Sequence, residues 1–130
     1  MTINEILKAL KNVNNDTPVF VADTLSVELT GEVMSWRGDY DCLALGYCLY
    51  GDSNAFINVG RLKSILQNSI GKTFIGYKGG EFVMDKNTPV YLDNYGFSTG
   101  HYIARVSASN NVCYLGIEKE EYHIPYKFNI

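Results

Sequence analysis

The sequence predicts an α+β domain: two amphipathic helices, at about residues 2–13 and 59–70, packed on a mostly antiparallel sheet. Two segments carry apolar residues at helical spacing, and most of the remainder reads as short strands rich in β-branched and aromatic residues. Turn signals at Gly79-Gly80, Asn94 to Gly96 and Asn110-Asn111 divide those strands. A chain of 130 residues is near the commonest domain size, and 46% hydrophobic with 19% charged residues is an ordinary globular composition, so residues 1–130 are expected to form one domain.

The elements follow in order. In TINEILKALKNV, Thr2 and Glu5 have the spacing of a capping box, and Ile3, Ile6, Leu7, Leu10 and Val13 recur on one helical face. Pro18 opens PVFVAD, a short run that fits a strand. In LSVELTGEVMSW, Leu25, Val27 and Leu29 alternate with Ser26, Glu28 and Thr30, and Gly31 is expected to turn the chain. CLALGYCLY lacks a helical stripe and reads as a strand. Asn58 caps the second helix, whose inner face is Val59, Leu62, Ile65, Leu66 and Ile70, whose outer face carries Arg61, Lys63 and Gln67, and which Gly71 stops.

From Lys72 to Glu121 strands dominate. A two-residue Gly79-Gly80 loop sets a register in which Lys78 faces Glu81, Tyr77 faces Phe82, Gly76 faces Val83 and Ile75 faces Met84. Tyr77, Phe82, Ile75 and Met84 then share the core side. In the last strand Cys113, Leu115 and Ile117 point inward, and Tyr114, Gly116 and Glu118 outward.

With 11 basic and 14 acidic side chains the net charge is −3, which gives no bulk field to attract nucleic acid or an anionic membrane; any anion site must be local. No apolar run approaches the roughly 18–20 residues of a membrane span, and no signal-peptide pattern is present, so a cytoplasmic protein is expected. Cys42, Cys48 and Cys113 are odd in number and lack metal-ligand spacing, as do His101 and His123. The thiols are expected reduced and structural, with no metal and no cofactor.

Two stretches stand out, SWRGDYD at 35–41 and GYKGGEF at 76–82. An arginine fork holds phosphate bidentately, a neighbouring aromatic stacks on a base, and glycine lets a ligand approach the backbone. That makes Trp36, Arg37, Gly38, Tyr40, Tyr77, Lys78, Gly79 and Gly80 the candidate ligand-binding residues. Plainer accounts stand beside this one: Trp36 anchors a turn in the core, Arg37 pairs with Asp39 or Asp41, and Lys78 pairs with Glu81 across the hairpin.

SWRGDYDCLAL and GYKGGEFVMDKNTPVY, following an N-terminal helix and a PVFV strand, resemble a widespread family of small bacteriophage proteins of unassigned function. The resemblance covers about residues 3–106. It implies a phage origin and a place in the infected bacterial cytoplasm, and it carries over no activity and no catalytic residue.

Three functional readings follow. The first is a non-enzymatic binding protein that sequesters a small anionic or nucleotide-derived ligand and so antagonises host defence. The second is a protein-interaction module that inhibits a host protein through an aromatic surface, to which ten tyrosines are suited. The third is a small hydrolase built on Asp85, Asp93 and His101, against which stands the lack of any nucleophile, metal-protease or phosphate-loop motif. A homo-oligomer, with a dimer first, is also expected.

Overall fold

A computed structural model of the chain describes residues 1–22, 27–37, 40–49, 57–75, 81–94, 97–109 and 111–119. The order of elements is α1 (Ile3–Ala9), β1 (Val19–Ala22), β2 (Val27–Arg37), β3 (Tyr40–Leu49), α2 (Val59–Ser69), β4 (Thr73–Ile75), β5 (Glu81–Val83), β6 (Val90–Asn94), β7 (Phe97–Ser109) and β8 (Val112–Lys119). The fold is α+β, with strands dominant.

Both helices start as their caps dictate. The Thr2 hydroxyl accepts from the Glu5 amide at 3.2 Å while the Glu5 carboxylate accepts from the Thr2 amide at 2.9 Å, a complete capping box. Asn58 Oδ1 accepts from the Arg61 amide at 2.8 Å. The first helix is shorter than its apolar spacing suggests: Lys11 and Val13 donate three residues back, to Lys8 and Leu10, so the stripe continues through turns after Ala9. Gly71 follows α2 with φ 87°, a conformation only glycine adopts freely, and its amide donates to Met84 at 2.7 Å.

Six strands form one sheet in the order β1-β8-β7-β6-β3-β2, and β4-β5 is a separate ribbon. Pairing is antiparallel for β2/β3, β6/β7 and β7/β8, and parallel for β1/β8 and β3/β6. A parallel pair needs a crossover, and between β3 and β6 the chain supplies it as α2 and the β4-β5 ribbon. The edge strands β1 and β2 come into contact, so the sheet is curled.

The main core lies between the helices and one face of the sheet. Ile3, Ile6 and Leu10 from the N-terminal helix region and Val59, Leu62 and Leu66 from α2 meet Leu43, Leu45, Val90, Leu92, Ile103, Cys113 and Leu115. On the other face Cys42, Ala44 and Tyr91 form a second buried cluster against Tyr102. The inward set Cys113, Leu115 and Ile117 is buried, and Tyr114 and Glu118 are exposed, as the alternation predicts; Gly116, expected outward with them, is buried because the Arg105 side chain covers it. No helix among the described residues is long and apolar enough to cross a membrane.

Three local expectations fail. Gly31 does not turn the chain: it lies inside β2, where the register with β3 shifts between Leu29 and Val33, so an irregularity absorbs the glycine. Ile70 is 40% exposed, because the chain leaves the helical path at that residue, whose backbone is extended at φ −65° and ψ 127°.

The third is the register of the β4-β5 ribbon. Ile75 faces Glu81, Phe74 faces Phe82 and Thr73 faces Val83, so five residues rather than two separate the paired strand ends. Phe74 and Phe82 turn toward the core with ring centroids 6.4 Å apart, while Ile75 is 66% exposed instead of sharing the Phe82 side. A change of an odd number of residues in register moves one strand's side chains to the opposite face.

Candidate functional site

Trp36 and Arg37 are the last two residues of β2, and Tyr40 is the first of β3. Arg37 and Tyr40 are register partners, with only Gly38 and Asp39 between them in sequence. The pairing shifts between Ser35, which faces Leu43, and Arg37, so an irregular step precedes the strand end. Gly38 lies outside the described residues, and so do Tyr77, Lys78, Gly79 and Gly80 together with the expected Lys78–Glu81 pair. The strands that flank that second stretch are placed: β4 ends at Ile75, β5 begins at Glu81, and β4 touches β2.

The hydrolase triad divides differently. Asp85 belongs to a turn: its amide donates to Thr88 Oγ1 at 2.9 Å and its carboxylate accepts from the Asn87 amide at 2.7 Å. Asp93 pairs with Ser98 and Gly46 in the sheet. His101 faces Lys119, and burial first, then the Lys119 charge, lowers its pKa below the ordinary histidine value. Among the described residues no three His, Cys, Asp or Glu side chains gather to hold a metal. Cys42 and Cys113 are buried thiols, not bonded in a disulfide, in separate clusters on the two sides of the sheet. Burial pushes the Cys113 thiol pKa up, so it is a poor nucleophile.

A polar array runs along β7 and β8. Tyr102 donates to Glu118 Oε1 at 3.2 Å, Arg105 Nη1 reaches Glu118 Oε2 at 3.4 Å, and Tyr91 packs on Tyr102 with centroids 5.9 Å apart. Arg105 lies across Gly116, where a Cβ would stand 2.6 Å from its Cγ. With both ends more than half exposed, the ion pair contributes only about 0.2–1 kcal/mol.

Sequence reasoning missed a groove between the helices. Leu7, Lys8 and Lys11 line one side of it, Lys63 and Gln67 the other. The i,i+3 spacing of Lys8 and Lys11 and the i,i+4 spacing of Lys63 and Gln67 are visible in the sequence, but their convergence needs the packing of α1 on α2. No protein-family model, curated protein or solved structure matches the chain.

Proposed function

We propose that the chain is a phage-encoded, non-enzymatic binding protein that sequesters a small anionic, nucleotide-derived ligand and thereby antagonises host defence. The observation that carries this reading is the pairing of Arg37 with Tyr40 at the end of the β2/β3 hairpin. Register partners on adjacent strands are near neighbours, and an arginine and a tyrosine are the residue types that serve phosphate and an aromatic base. The contact of β2 with β4 supports a shared site with the YKGG stretch, because β4 leads straight into Gly76.

The test is a thermal-shift screen against nucleotides and cyclic nucleotides with Arg37→Ala and Lys78→Ala, singly and together. A ligand that stabilises the native chain and loses about 1.5–3 kcal/mol of binding on Arg37→Ala supports the reading. Equal responses from native chain and both variants remove these residues from the site. Mass spectrometry of small molecules released from protein purified out of infected cells names the ligand.

The interaction-module reading rests on a different surface. Ile75 and Val83 are 66% and 59% exposed and lie on the same side of the β4-β5 ribbon, away from Phe74 and Phe82. Exposed apolar residues on a two-stranded ribbon suit a protein contact, and self-association as a dimer belongs to this proposal.

A further inference from the structure

The second buried cluster raises a question of cover. Cys42 and Ala44 are 0% exposed and Tyr91 is 8% exposed, although all three stand on the sheet face opposite the main core. Among the described residues, Tyr102 is the partly buried hydrophobic packed against them. It is the register partner of Tyr91 on the next strand, so it stands beside that ring. Side chains rise roughly perpendicular to a sheet, so a neighbour in the same sheet shields the flank of a ring, and the outer edge is hidden only under a further layer.

Residues 121–130, which lie outside the described residues, read EYHIPYKFNI. Tyr122, Ile124, Tyr126, Phe128 and Ile130 alternate without a break with Glu121, His123, Pro125, Lys127 and Asn129. Strict period two is the pattern of an extended segment with one apolar side. Pro125 lacks the amide that a central strand needs, so the pattern suits packing by side chains across a face better than a place inside the sheet. The other stretches outside the described residues, 23–26, 38–39, 50–56, 76–80, 95–96 and 110, have no such apolar side.

The course of β8 leads that segment to the cluster. Glu118, next to last in β8, is the register partner of Tyr102; Tyr102 pairs with Tyr91, and Tyr91 with Ala44. One row across the sheet therefore runs from the end of β8 to the buried cluster, over three strand spacings or roughly 14 Å. Ten extended residues reach about 33 Å, which covers the row and leaves length for a turn.

We propose that residues 121–130 lie as an extended strap over Cys42, Ala44 and Tyr91, with Tyr122, Ile124, Tyr126 and Phe128 against the sheet and His123, Lys127 and Asn129 toward water. The occupant of this face is then a segment of the same chain, and the face offers no aromatic surface to another protein. The strap rests on none of the residues of the β2/β3 ligand site, so the two proposals stand or fall separately.

The experiment uses thiols of the full chain as reporters, since Cys42 lies in the covered cluster and Cys113 in the main core on the other side of the sheet. Alkylation rates at each cysteine are read by peptide mapping in the native chain, in Ile124→Asp/Phe128→Asp, and in His123→Asp/Asn129→Asp, which adds two carboxylates on the opposite side of the segment. Cys42 is expected to react at least roughly tenfold faster in the first pair, with Cys113 unchanged and the second pair like the native chain. Cys42 as slow in the first pair as in the native chain, or accelerated equally by both pairs, overturns the proposal. If Cys113 accelerates as well, the charges have loosened the whole core, and single cysteines decide. Under mild oxidation at least one of Tyr122→Cys, Ile124→Cys, Tyr126→Cys and Phe128→Cys should then form a disulfide with Cys42 inside one chain, because only a segment lying on the cluster comes within bonding distance. No such disulfide from any of the four, or one formed only between two copies, overturns the proposal.

Discussion

The amide of Gly60 donates to the carbonyl of Asn15 at 2.9 Å, and the two residues are so close that a Cβ on Gly60 would stand 3.0 Å from Asn15 Cβ. Asn15 is fixed from both sides, because its carboxamide also holds Lys63. Gly60→Ala gains about 1 kcal/mol of helix propensity but overpacks this contact, which costs about 1–3 kcal/mol. A net loss of about 1 kcal/mol is expected in urea unfolding; a more stable variant would show that the Asn15 turn yields.

Gly71 presents the contrasting case, since nothing lies within 4 Å of where its Cβ would be, yet φ is 87°. Gly71→Ala is expected to destabilise by about 1–2 kcal/mol through backbone conformation alone. Gly71→Asn should lose less, because asparagine tolerates this region better. Equal losses in the two variants would point to a cause other than the backbone angle.

His101 makes stability depend on pH. Its pKa in the folded chain is lowered from 6.5, chiefly by burial and secondarily by Lys119. Well above 6.5 the imidazole is neutral in both states. As pH falls from there toward the depressed value, the unfolded chain takes up the proton first, so stability is lost, and the loss levels off below the folded pKa. Denaturant titrations between about pH 7.5 and about pH 5 should show this component in the native chain and lack it in His101→Gln.

Cys113 is fully buried in the main core. Peptide mapping after brief alkylation of the native protein should find it unmodified, and find it labelled after unfolding. Cys113→Ser buries a hydroxyl in its place and is expected to cost about 1–3 kcal/mol. Rapid native labelling would reverse the inward assignment of β8.

Ile75 and Val83 bear on assembly. If the exposed side of the β4-β5 ribbon joins two copies, light scattering of the native chain should give twice 14.6 kDa, and Val83→Lys should return it to one copy. A native mass of one copy across a wide concentration range rejects the dimer.

What the sequence made legible is what neighbouring residues decide among themselves. The capping box of Thr2 and Glu5, the Asn58 cap, the Gly71 stop and the pairing of Ser109 with Val112 across a two-residue loop all rest on contacts within a few positions. The parallel pairings of β1 with β8 and β3 with β6 were not legible, because alternation marks which side of a strand is apolar and says nothing about its partner. Gly31 misled because a glycine in a long strand serves an irregularity as well as a turn, and Gly79-Gly80 misled because five residues separate the paired ends. For the candidate site, Arg37 and Tyr40 were within local reach. The groove between the helices was not, since Lys8 and Lys63 line it together only once two helices distant in sequence pack.

The parallel seam between β1 and β8 has a consequence for synthesis. Val19 pairs with Cys113, so at a ribosomal pace of about 5–20 residues per second the first strand waits roughly 5–20 s for its partner to be made. During that interval Val19 and Val21, buried in the finished protein, have no β8 to cover them. The chain is therefore most exposed to wrong strand pairing while it is being translated, and a slower ribosome lengthens that exposure.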